Sequence, residues 1–183
     1  MLTLAVLLAV LASLLTGGRL RNIQSCAARG FSLPVAALLL ETASNGLCAA
    51  DVLPRMPWYY VLLANVYLLC LFFVVLNRRY RSFSALFGAG ALANFSVIAA
   101  NDFYMPVGER ILTLSGFSGI PAAQRIAYRI ADSGTRLRFL GDILYIPGLG
   151  GFASVGDCLM AAGVFVLAFQ LMRGNASPIS ERP

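Results

Sequence analysis

The sequence predicts an all-α integral membrane protein: a five-span helical bundle with an extracytoplasmic re-entrant or amphipathic segment between spans four and five. Three observations carry this reading. The 183 residues are 59% hydrophobic and only 12% charged, with a mean hydropathy of +0.78, too apolar for a soluble domain of this size. The apolar residues gather into five runs bounded by arginines, prolines and glycines. Between the last two runs lies a polar, glycine-bearing segment of more than fifty residues, Asn101 to Gly156.

The first run, Leu2 to Thr16, is followed by Gly17-Gly18 and then by Arg19 and Arg21. A secretory signal carries its positive charge before its apolar core, so a retained span is expected, short for a bilayer crossing. The second run, Phe31 to Ala49, is broken by Asp51, Pro54 and Pro57, because proline cannot continue a helix interior. Trp58-Tyr59-Tyr60 opens the third run, Trp58 to Leu76, as an aromatic cluster of headgroup-level type; Arg78, Arg79 and Arg81 close it. Ser82 to Ala100, the fourth run, is rich in Gly and Ala, which lets helix backbones approach closely. The fifth run, Asp157 to Met172, ends at Arg173 and a polar tail, 174–183.

All fourteen basic residues are arginines, and histidine is absent. Guanidinium groups suit phosphates and carboxylates, and arginines set at span ends rather than along a stripe point to membrane lipids and a partner membrane protein, not to nucleic acid. Without histidine the commonest metal ligand and neutral-pH base are missing, and the cysteines at 26, 48, 70 and 158 have no CxxC spacing. Neither metal nor cofactor is expected, and acid–base chemistry falls to carboxylates. A bridge between Cys48 and Cys158, both near the outer rim, is conceivable; small apolar filler is the alternative for each. Placing the N-terminus outside and the C-terminus in the cytoplasm leaves eight arginines inside and six outside, five of those in the long segment, where the positive-inside rule loses force.

Within the long segment, Ile120, Ala123, Ile126, Ala127, Ile130 and Ala131 recur at helical spacing after Pro121, which predicts an interfacial amphipathic helix with its arginines on phosphates. The apolar stretch Phe139 to Pro147 is too short to cross and is expected to dip into the surface, and Gly148, Gly150 and Gly151 to turn the chain into the last span. Asp142 and Asp157 are expected to fasten this cover through Arg110, Arg136 or Arg138.

Placed by depth at ~1.5 Å per residue, Glu41, Asn65 and Asn94 reach one level from three spans. Asn45 lies one turn above Glu41, while Asn101 and Asp102 follow Asn94 toward the rim. These residues predict an outward-opening polar funnel. A charge in hydrocarbon is costly unless paired, so Glu41 should face inward; interhelical hydrogen-bond glue is the alternative to a ligand site.

The blocks GGRLRN, ANDFYMPVG, TRLRFLGDILYIP and SVGD resemble an uncharacterised family of small bacterial multi-spanning membrane proteins, domain of unknown function family 5317. The resemblance implies a bacterial cytoplasmic membrane and no established activity. A second likeness concerns Asp142 and Asp157, each preceded by glycine. One aspartate in an outer segment and one opening the final span is similar to the arrangement in lipoprotein signal peptidases, where two carboxylates sharing a proton activate water. The structural alternative has Asp142 cap or turn the chain and makes Asp157 the N-cap of the last helix. The leading functional expectation is a non-enzymatic binding or accessory protein. An intramembrane aspartyl hydrolase using Asp142 and Asp157 is the first rival. A proton-coupled carrier using Glu41 is the second, with Gln170 the one polar group in the inner half to serve it.

Overall fold

The computed structural model describes residues 2–24, 28–52, 55–116, 118–121, 124–146 and 151–174. Cys26, Pro54, Ala123, Pro147, Gly148, Gly150 and the tail with Arg182 lie outside the described residues. The chain folds mainly as helices: α1 (Leu2–Leu15), the short α2 (Arg21–Gln24), α3 (Ser32–Ala49), α4 (Tyr60–Leu76), α5 (Arg81–Ala100), α6 (Glu109–Leu114) and α7 (Val155–Met172). Among the described residues four helical stretches are long and apolar enough to cross a membrane: Ser32–Ala49, Met56–Leu76, Arg81–Ala100 and Val155–Met172, which is compatible with a multi-pass membrane protein. α1 is apolar but has only 14 residues; at ~1.5 Å per residue it measures roughly 21 Å.

The expectation of an all-α fold is corrected by a four-stranded sheet. Its strands are β1 (Met105–Val107), β2 (Tyr128–Ile130), β3 (Asp142–Ile146) and β4 (Gly151–Ser154), in the order β2-β1-β3-β4. β1 is parallel to β2 and to β3, and β3 is antiparallel to β4. Two local expectations fall with this. The stretch read as an amphipathic helix supplies β2 instead, Met105 standing opposite Tyr128 and Val107 opposite Ile130. The apolar stretch read as a surface dip supplies β3. An isolated helix of a dozen residues is marginal, whereas Tyr and Ile pack well on a pleated surface once a partner edge exists. β1, buried along its whole length, is that edge on both of its sides.

The core runs along the bundle through Phe73, Phe83, Phe87, Ala91, Leu167 and Leu171. α5 and α7 make the most extensive helix pair, followed by α3 with α4 and α1 with α7. Glycine permits the α5–α7 approach: a Cβ at Gly163 would stand 2.8 Å from the Phe87 backbone nitrogen. The two ends of the bundle differ. One carries Arg19, Arg21, Arg29, Arg78, Arg79, Arg81 and Arg173 near the C-terminal ends of α1, α4 and α7. There the segment after α1 is tied to the end of α7 by Arg19 N–H to Met172 O at 2.9 Å and Asn22 Nδ2 to the same oxygen at 2.8 Å. The other end carries the sheet.

Candidate functional site

The site lies where the sheet hands over to α7. The sequence Ser154-Val155-Gly156-Asp157 is a serine followed three residues later by a carboxylate, and it forms a capping box. The Asp157 N–H donates to Ser154 Oγ at 2.9 Å, and the Ser154 N–H donates to Asp157 Oδ2 at 3.1 Å. Ser154, not Asp157, is therefore the N-cap, and α7 begins two residues before the expected Asp157. The cap reaches a second helix: Ser154 Oγ donates to Asn94 Oδ1 at 2.7 Å, and Asn94 Nδ2 donates to Asp157 Oδ1 at 2.8 Å. Asn94 is only 4% exposed on α5. It reaches Asp157 because residue 156 is glycine; a Cβ there would run into the Asn94 side chain. Both Asp157 oxygens thus accept N–H donors, which is how a carboxylate is held.

Asp142 opens β3, opposite Val107 on one side and Ser154 on the other. Gly141 before it lies so close to β1 that a Cβ would stand 2.5 Å from the Pro106 carbonyl oxygen. Asp142 is 3% exposed, and among the described residues its Oδ1 has no hydrogen-bond partner. Burial first, and the charge of Asp157 second, push its carboxyl up to about 8. Asp142 thus holds its proton more tightly than an ordinary aspartate, and Asp157, whose charge contributes to this, is half-buried.

Tyr128 on β2 completes the cluster, its ring edge-on to Phe152 of β4 at 5.4 Å. Its phenol is raised by burial and then by Asp142, Asp157, Glu41 and Tyr59 in that order. Groups from α3, β2, β3, α7 and the turn before α4 thus act on one another across this junction.

The expected funnel is assembled only in part. Asn94 is in the cluster, and Glu41, though exposed on α3, is near enough for its charge to act on Tyr128. Asn45 accepts from the Tyr59 hydroxyl at 3.0 Å. Asn65 does not join: it is exposed and donates to Val61 O of its own helix at 2.8 Å. Depth along a helix says nothing about direction around it.

The cover is fastened differently from the expectation. Among the described residues neither Asp142 nor Asp157 forms an ion pair with Arg110, Arg136 or Arg138. Asn101 does the fastening, its Nδ2 donating to Arg136 O at 2.8 Å and its Oδ1 accepting the Arg136 N–H at 2.9 Å. Asp102 faces Arg129 at 3.9 Å, both exposed, and the Arg129 guanidinium lies 4.1 Å over the Tyr104 ring. Asn101, Asp102, Arg129, Asp132 and Arg136 line a recess of about 290 Å³ on the sheet surface, and neither Asp142 nor Asp157 is among its described lining residues. Asp142 sits in a strand and caps nothing. Cys70 and Cys158 are free thiols, so the conceivable bridge between Cys48 and Cys158 does not form. Among the described residues no group of His, Cys, Asp and Glu is arranged to hold a metal.

Sequence reasoning missed Ser154, Tyr128 and Tyr59 as members of the site. The Ser-x-x-Asp spacing could have revealed the first; nothing local marks the two tyrosines.

Comparison with curated proteins gives no match, and comparison with solved structures gives none. A family model does match, over residues 25–169, a segment that holds α3 to α6, all four strands and most of α7. By that match the chain belongs to the family of unknown function DUF5317.

Proposed function

We propose that the chain is an aspartyl hydrolase embedded in the membrane, cleaving an amide bond of a membrane-anchored substrate at the bilayer edge. The observation that carries this reading is the asymmetry of two neighbouring carboxyls. Asp142 is buried, its carboxyl is pushed up by burial and by Asp157, and among the described residues its Oδ1 has no partner, while Asp157 has both oxygens on N–H donors. Pairs of titratable groups pushed apart by their surroundings take opposite acid and base roles.

In this reading Asp157 takes a proton from water as the water oxygen bonds to the substrate carbonyl carbon. Asp142 gives its proton to the carbonyl oxygen, forming a neutral geminal diol. Collapse breaks the C–N bond: the proton on Asp157 passes to the leaving nitrogen, and one diol hydroxyl returns its proton to Asp142. The products are a carboxylic acid and an amine. Asn94 and Ser154 are positioning residues that hold the Asp157 oxygens.

The membrane placement is part of the proposal. α1 serves as a short fifth span packed on α7, the arginine-bearing end faces the cytoplasm, and the sheet covers the non-cytoplasmic mouth, with the N-terminus outside. Arginine gathered at the end opposite the sheet supports this orientation. A bacterial cytoplasmic membrane is the corresponding location.

The test uses purified protein in micelles with a library of internally quenched peptides bearing an acyl anchor. Wild type should cleave a subset, and Asp142→Asn and Asp157→Asn should each lower the rate about 10²- to 10⁴-fold. Wild-type rates in either variant, with folding retained, overturn the reading.

A binding or accessory role has one observation in its favour: the recess holding Asn101, Asp102 and Arg136 together. It requires that Arg129→Gln and Arg136→Gln abolish capture of a partner while the aspartate variants do not.

A further inference from the structure

The end of the bundle opposite the sheet carries a second built feature, separate from the aspartates. A recess of about 460 Å³ is lined by Arg29, Arg78 and Arg79 together with Val75 and Leu76. Its architecture rests on Asn77, which is 0% exposed and ends α4. Asn77 Nδ2 donates to Arg29 O at 2.8 Å and to Phe73 O at 2.9 Å, and its Oδ1 accepts the Arg29 N–H at 2.9 Å. One buried amide therefore fixes the start of Arg29 beside the two arginines that follow it in sequence. Gly30 keeps the segments together, since a Cβ there would lie 2.8 Å from Leu76 Cδ1. Arg79 is oriented by donating to the Tyr80 hydroxyl at 2.9 Å.

None of the five described lining residues is acidic, and among the described residues none of the three arginines is in an ion pair. Three guanidinium groups held around one opening, with no carboxylate among its described lining residues, call for an anion with several oxygens. The apolar wall specifies the rest. Val75 and Leu76, 57% and 38% exposed, belong to the last turn of a helix long and apolar enough to cross a membrane, so they meet acyl chain where the arginines meet headgroup.

We propose that this recess binds an anionic phospholipid of the facing leaflet, its phosphate among Arg29, Arg78 and Arg79 and its chain along Val75 and Leu76. Basic pockets between spanning helices select such headgroups over neutral ones.

The test is a lipid titration of the full chain in a neutral detergent, read by native mass spectrometry with phosphatidylglycerol, cardiolipin, phosphatidylcholine and soluble glycerol phosphate. The anionic lipids should be retained, and the triple variant Arg29→Gln, Arg78→Gln, Arg79→Gln should bind them about 10- to 100-fold more weakly. Arg110→Gln, at the sheet end, should bind as wild type does. Where the triple variant fails to fold, Arg78→Gln, at an exposed position, carries the same test with a smaller loss. Unchanged binding in the arginine variants overturns the proposal. So does equal weakening by Arg110→Gln, or glycerol phosphate binding as tightly as the lipid.

Discussion

Two asparagines, Asn77 and Asn94, are both buried within the bundle, both join segments far apart in the chain, and they do opposite things. Asn77 satisfies backbone groups: both amide ends bond main-chain atoms of Arg29 and Phe73, and its own carbonyl accepts from the Tyr80 N–H at 2.9 Å. Nothing in that hub is left to react. Among the described residues the Asn94 amide bonds side chains alone, Ser154 and Asp157, and through them stands next to an acid whose Oδ1 has no described partner. A closed hub is an architectural device; an open one, ending on an unsatisfied buried atom, is where chemistry is possible.

The largest expected break in this contrast is Asp142→Asn. In the proposed mechanism it removes the acid, with the 10²- to 10⁴-fold loss of rate stated above. Stability should move the other way. The folded protein holds the Asp142 proton up to about 8, whereas an unfolded aspartate releases it near pH ~4. Folded chains thus bind more protons between these values, so wild-type stability falls as pH rises across that window and levels off above it. Asparagine carries no such loss. The variant should therefore gain on wild type as pH climbs from 4 to 8 in thermal unfolding in micelles, a gain bought with function. An Asp142 that released its proton at the ordinary aspartate value in the folded chain would instead give Asn no gain with pH.

Next in size is Gly156→Leu. Its side chain must enter space held by Asn94 and the Gly90 carbonyl, so α5 and α7 separate at the one point where the network crosses between them. Overpacking of this kind costs about 1–3 kcal/mol. Loss of the Asn94–Asp157 bond should accompany it, seen as lowered hydrolysis in protein that still folds.

These two positions also show what could be read from the residues alone. Gly141-Asp142 and Gly156-Asp157 stood out as paired dipeptides, and the structure supplies the cause: each glycine lies where a neighbouring backbone or side chain leaves no room for a Cβ. The long helices were legible within about two residues because hydrocarbon-length apolar runs end at charges and glycines. The sheet was not. Its strands are three to five residues long, and β1 finds its partners more than twenty and more than thirty residues later. No local period records a pairing at that distance, and Ile126 with Ile130 imitates a helical one. The funnel failed at Asn65 for a different reason, since depth was known but helical phase was not.

The hubs themselves separate by their response to truncation. Asn77→Ala strips partners from the part-buried main-chain groups of Arg29 and from the end of α4, and each group left orphaned out of water costs about 1–3 kcal/mol. It should lower the melting temperature and leave the aspartate chemistry untouched in whatever folds. Asn94→Ala should cost less stability, because Asp157 keeps the Ser154 N–H, and more activity, because one Asp157 oxygen loses its fixed donor. Equal losses of both kinds in both variants would erase the distinction between a closed and an open hub.

The smallest effect belongs to Asn65, the residue whose depth matched the site and whose direction did not. It is exposed, and its one described hydrogen bond runs back to Val61 O, four residues earlier in the same helix. That carbonyl already lies within the helical ladder, so the amide adds little, and such back-bonding by a polar side chain weighs lightly on a helix. Substitution by Leu should change stability by within about 0.5 kcal/mol and leave hydrolysis unaltered, measured beside Asn94→Ala in the same micelles. A loss of activity at Asn65 comparable to that at Asn94 would mean that the two side chains meet after all, and that the α4 face carrying Asn65 borders the reacting groups rather than the surrounding lipid.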